Sequence, residues 1–260
     1  AFLLFGQSLA PLQLAGAAVV IYIMIRWFGQ VISESEAGTY DGQVDMSFRM
    51  GMGWFILSEV MFFAAFFGAL FYVRQLAVPW LAETELLWPG YEGGWPTAGP
   101  AGPMTMGHDA ASVGANQFSP MGAMGIPFIN TMILLSSGVT VTWAHWGLKK
   151  ENRAQLITGL FLTVVLGIIF LSLQVYEYVY AYTVLGLTLK AGVYGSTFFM
   201  LTGFHGFHVT LGTIMLIVIL IRSIKGHFSA HNHFGFEAVA WYWHFVDVVW
   251  LGLFIFVYLL

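Results

Sequence analysis

The run WFILSEVMFFAAFFGALFY holds a single acid, Glu59, near the centre of an apolar stretch covering 48–73. An ionised carboxylate in the middle of a membrane helix costs about 2.5–3.5 kcal/mol on insertion scales. Glu59 is therefore expected to be protonated or to share its proton in a hydrogen bond. It would act either as a neutral tie between helices or as a proton-handling or lipid-contacting group. A second polar group, GFHGFHVTLG, sets His205 and His208 three residues apart on one helix face. Gly203, Gly206 and Gly212 are expected to let another backbone approach there. Two imidazoles at this spacing could ligate a metal, but a site needs three or four ligands. Hydrogen bonding to a carboxylate is the stronger reading.

Near the C-terminus, FGFEAVAWYWHFVDVVW places Glu237, Trp241, His244 and Asp247 within about one quadrant of a helix. A polar stripe is costly against lipid, so it must face the bundle or a neighbouring subunit. No nucleophile or activated water site accompanies it, which favours a structural network over catalysis. In LQVYEYVYAY, Gln174 and Glu177 lie among Tyr176, Tyr178 and Tyr180, a pattern expected of an interfacial aromatic belt with one anchored acid. Arg222 and Lys225 could reach lipid phosphates or simply set topology. His227, His231 and His233 in GHFSAHNHFG have the look of a metal tract but suit a wet interfacial loop better. No catalytic residue and no metal ligand is expected on this chain.

The elements that must position these groups are helices in lipid. Of 260 residues, 58% are hydrophobic and only 8% charged, against roughly 45–50% and about 25% in soluble domains. Apolar runs recur at lengths near the ~20 residues that cross a hydrocarbon core. Six spans are predicted at 11–32, 48–73, 126–146, 156–179, 193–221 and 239–260. The expected fold is an all-α integral membrane protein, a polytopic helix bundle forming a single membrane domain over 1–260. The opening AFLLF is too short to span, so it reads as a remnant of a further N-terminal helix or the trace of a lost signal segment. Seven of the nine Lys and Arg residues fall at loops A/B, C/D and E/F, lettering the spans A to F. Those loops are therefore assigned to the cytoplasmic side and the C-terminus to the outer side. The Gly- and Pro-rich connection 74–125 is expected to be an irregular outer loop. A formal net charge of −4 without long runs of one sign gives no sign of a nucleic-acid partner. The absence of cysteine excludes thiolate copper, iron–sulfur and CxxCH haem attachment.

Taken in order, SEVMFFAAFF, FFMLTGFHGFHVTLG and HFGFEAVAWYWHFVDVVWLGLF closely resemble subunit III of cytochrome c oxidase, over nearly the whole chain. The resemblance implies a non-catalytic core subunit of a proton-pumping terminal oxidase, beside subunits I and II, which hold the haems and coppers. Cytochrome c would be donor to the complex without binding here. The resemblance also implies seven spans, of which six are visible here. The first helices (residues 1–32) would be separated by a phospholipid-filled cleft from a five-helix bundle over 48–260. Subunit III would stabilise subunit I, support proton uptake and protect against turnover-linked inactivation. By resemblance to the bacterial type, the location is a bacterial inner membrane with a periplasmic C-terminus. Glu59, His208 and Arg222 match lipid-contacting positions, and His205, Glu237, His244 and Asp247 match positions of the packed bundle. Two departures stand out: Ser33, where the family often has a phosphate-binding arginine that Arg26 could replace, and Gly68, where the family has tryptophan. The rival readings are subunit III of a quinol oxidase and a small proton-coupled transporter using Glu59 and His205.

Overall fold

The computed structural model describes residues 10–102 and 118–260, and every regular element within them is helical. The long helices are α1 (Ala10–Glu36), α2 (Gly42–Tyr72), α4 (Ile126–Lys149), α5 (Arg153–Thr183), α6 (Val193–Lys225) and α7 (Phe234–Leu253). A short α3 (Val78–Ala82) follows α2, and α7 runs on through a widened π turn, Phe254–Leu259. Six helical segments are long and apolar enough to cross a membrane, one for each predicted span. Each is longer than its predicted span because polar end turns such as those of Arg153 and Lys225 stay helical beyond the apolar stretch. The AFLLF segment lies outside the described residues.

Compactness divides the chain within α2, into a unit ending at Met50 and a unit Gly51–Leu260. In the first, Tyr40 closes the turn after α1 by donating its hydroxyl to Glu34 at 2.7 Å. Accepting that hydrogen bond favours the ionised carboxylate and holds the Tyr40 phenol above its usual range. In the second unit, α4 packs on α5, α5 on α6, α6 on α7, and α7 returns to α4, so four helices close a ring. Lipid offers no hydrophobic drive for such contacts, and close approach of small residues replaces it. A Cβ on Gly159 would come within 2.8 Å of Ala144, and Cβ atoms on Gly167 and Gly212 within 3.0 and 2.9 Å of the Trp243 ring. Gly212 thus makes room for an indole rather than for a backbone, and Gly206 meets nothing within 4 Å.

The connection after α2 differs from the predicted irregular loop. The helix continues through a widened turn, Val73–Ala77, into α3 before it ends at Ala82. Pro79 explains the widening: it has no N–H to donate and its ring crowds the carbonyl of Gln75, so the chain absorbs the misfit one turn early. From there to Gly102 the chain has no further helix or strand, yet Tyr91, Thr97 and Ala98 are buried. Val193 and Tyr194, at the start of α6, donate their N–H groups to Ala98 and Thr97, each at 3.2 Å. Gly192, at φ 88°, sits with its α-carbon against Ala98, a conformation and a clearance that only glycine allows. The rest of that predicted loop, 103–117, lies outside the described residues.

Candidate functional site

Three turns into the apolar part of α2, Glu59 points at α6 and meets His208, with Oε2 2.9 Å from Nε2. The other ring nitrogen, Nδ1, lies 2.6 Å from the carbonyl of Phe204 one turn back. A carbonyl only accepts, so Nδ1 carries a proton and donates it. One more proton must then lie between Glu59 and Nε2, either on the acid or on the imidazole. Both arrangements leave the pair neutral overall, which is how an acid is tolerated at this depth. Around the imidazole stand Phe62, Phe63, Tyr242 and Phe245, with ring centroids 5.1–6.3 Å away. Two to three turns along the same two helices, Phe66, Ala69, Ser196, Thr197, Met200 and Leu201 line a shallow, open apolar furrow.

His205 shares the helix but not the pair. It is fully buried, and its Nε2 donates to the carbonyl of Val246 on α7 at 3.0 Å. Its Nδ1, left as an acceptor, has no hydrogen-bond partner. The carbonyl beside each ring thus fixes a proton on opposite nitrogens, Nδ1 in His208 and Nε2 in His205.

The stripe on α7 faces α4. Running along the two helices, Glu237 lies 3.5 Å from His145, His244 Nε2 lies 3.2 Å from Thr142 Oγ1, and Asp247 sits over Gly138. The contacts on α4 therefore fall at 138, 142 and 145, one face of that helix. His244 Nδ1 is 3.7 Å from Asp247 Oδ2, with the imidazole half-exposed and the acid buried. Trp241, assigned to the stripe from sequence, is 40% exposed and points outward. Beside this seam, Trp243 and Trp250 donate their indole N–H groups to Ser137 (2.8 Å) and Thr131 (2.9 Å).

At one end of the seam, His145, His233 and Glu237 bring three ligand atoms within 4.8 Å of one another. Among the described residues this is the one group that could hold a metal ion. Of the histidine tract, only His233 belongs to it; His231 is exposed on the loop. His145 was missed in the sequence, where its signal is an ionisable side chain in the last turns of span C, TVTWAHWGLKK. Glu177 also departs from the reading as an interfacial acid. It is 1% exposed and accepts a 2.6 Å hydrogen bond from Tyr258, while Tyr176 and Tyr180 on other faces point outward. Arg222 lays its guanidinium over the Phe228 ring at 4.5 Å, and Arg26 on α1 is exposed.

Comparison with known proteins decides the family. Cytochrome c oxidase subunit III matches this chain over residues 2–91 and 97–260. The chain belongs to that family. Cytochrome c oxidase subunit 3 of Drosophila melanogaster is 45% identical over 260 residues, covering 98% of this chain and 85% of the relative. The proteins of the same name from Dugong dugon and Patiria pectinifera are 42% identical over 251 residues and 44% over 245. They cover 95% and 94% of this chain and 83% and 82% of their own lengths. These relatives are animal proteins, so they do not support the bacterial type expected from the motifs. Their shared name favours the subunit III reading over the transporter and quinol-oxidase readings. At Gly68 a Cβ would meet nothing within 4 Å, so the position faces open space on α2.

Proposed function

We propose that this chain is a non-catalytic subunit of a respiratory cytochrome c oxidase, that it stabilises subunit I and that it supports proton uptake beside it. The pairing of Glu59 with His208 inside an aromatic shell supports this reading most directly. A neutral, proton-sharing pair next to an apolar furrow suits a surface that holds an acyl chain and keeps a titratable group dry. In this reading phospholipid lies against the α2–α6 face, with Glu59 and His208 beneath its chains. The haems and coppers belong to subunits I and II, and cytochrome c delivers electrons to the complex without touching this chain. The cationic loops lie on the proton-uptake side and Leu260 on the opposite one.

A tag on this chain provides the test. Purified gently from membranes, it should bring with it stoichiometric haem and copper in partner subunits, together with tightly held phospholipid. After dissociation, the isolated chain should show no visible haem or copper absorbance. Recovery without haem, or a haem signal that stays with the isolated chain, would overturn the reading.

A further inference from the structure

We propose that His145, His233 and Glu237 form a binding site for zinc or a zinc-like divalent cation that ties the last turns of α4 to the start of α7. The inference goes beyond the role in the oxidase and rests on other residues than the Glu59 pair.

The donor set is the first argument. Two imidazoles and one carboxylate make up a three-ligand set found in zinc proteins that leave a fourth position for water. The second argument is distance. Tetrahedral zinc, with bonds near 2.0–2.2 Å, separates its ligand atoms by roughly 3.3–3.5 Å. His233 Nε2 and His145 Nε2 lie 3.3 and 3.5 Å from Glu237 Oε1, and all three ligand atoms lie within 4.8 Å of one another, close enough for one ion to draw them together.

The third argument is the state of the two nitrogens. Both Nε2 atoms are buried, and the one polar atom each approaches, Glu237 Oε1, is too far or too poorly aligned for a well-formed hydrogen bond. Leaving such a group unsatisfied costs about 1–3 kcal/mol, so two of them converging on one carboxylate oxygen call for a shared partner. A cation supplies one to both. His233 is 7% exposed, and its Nδ1 lies 3.1 Å from the carbonyl of Ser229. Nδ1–H donates to that carbonyl, which keeps the ring proton on Nδ1 and leaves the Nε2 lone pair directed at Glu237, the outer-shell hydrogen bond that metal-ligating histidines usually make.

The fold holds the three in place. His233 caps the N-terminus of α7, and Glu237 follows one turn later, with its N–H donating to the His233 carbonyl at 3.1 Å. His145 reaches them from α4, its ring 5.4 Å from that of His233 and 5.3 Å from Phe236. An ion bound here would add coordinate bonds to the 3.5 Å contact between His145 and Glu237 that already joins α4 to α7 at this end.

The test uses the intact complex containing this chain, stripped with chelator and equilibrated with Zn²⁺ alone at buffered micromolar concentration. Bound zinc is counted against haem iron by mass spectrometry. The wild-type complex should hold one more zinc than H145A, H233A or E237Q. Each substitution should weaken that ion at least about a hundredfold, the upper range for loss of an outer-shell partner. Equal zinc in wild type and all three variants would overturn the site. Haem recovery in the same preparations separates failure to assemble from failure to bind. Should a variant not assemble, zinc-edge absorption of the loaded wild type decides. An ion with two imidazoles and a carboxylate in its shell sustains the site, and a complex showing no such ion refutes it.

Discussion

His208 links a backbone carbonyl to a half-buried acid, and the consequences of that link belong to single atoms. Because Nδ1 is committed to Phe204, Nε2 needs a donor or must donate itself, and Glu59 meets either need. Glu59→Gln keeps a donor for Nε2, so the complex should assemble almost as in the wild type. Glu59→Leu strands Nε2 in an aromatic shell and should cost about 1–3 kcal/mol, read as lower yield and earlier thermal dissociation. Identical behaviour of the two variants would show that this hydrogen bond contributes nothing. A hydrophobic carbodiimide, which reacts with protonated carboxyls from the lipid phase, should modify Glu59 in the wild type. Modification confined to loop acids would contradict the placement. The need for a partner at Glu59 was legible in its apolar flanks. The choice of His208 over His205 was not, because the two share a face, and only the rotation of α6 against α2 and α7 separates them.

At the level of elements, the α4–α7 seam depends on what glycine leaves open. Gly138 sits under the Asp247 carboxylate, so Gly138→Ala forces a methyl onto a buried acid. The expected loss is about 1–3 kcal/mol, as in other overpacked cores, and appears as a lower midpoint of thermal dissociation. Gly206→Ala, on the lipid-facing side of α6 with nothing within 4 Å, provides the contrast. It should leave the midpoint unchanged or raise it slightly through better helix propensity. A glycine can be read as a possible notch from sequence alone. Which notch receives a side chain depends on a second helix, and here Gly167 and Gly212 receive Trp243. Period told which residues of α7 share a face, but it could not tell that Trp241 turns outward while Trp243 and Trp250 find hydroxyls on α4.

For the whole molecule, the solvent is lipid, and large apolar side chains on the outside are the expected surface. Trp54 is 68% exposed and Trp250 1%. In variants of the isolated chain that retain one tryptophan each, acyl-brominated phospholipid should quench Trp54 several-fold more than Trp250. Equal quenching would mean that the ring of α4 to α7 does not hold outside the oxidase.

The sequence by itself determined six membrane spans, their order, the acids that had to be satisfied and the family. These follow from composition, from apolar run length and from motifs carried on contiguous residues. Tertiary structure alone decided the partners. Glu59 and His208 are 149 residues apart, Trp250 and Thr131 119, and Glu177 and Tyr258 81. A helix fixes the face a side chain occupies through its 3.6-residue turn, but the neighbour on that face depends on how each helix rotates and slides against the next. For the same reason His145, an isolated histidine in span C, became a member of a three-residue cluster only once α4 and α7 lay side by side.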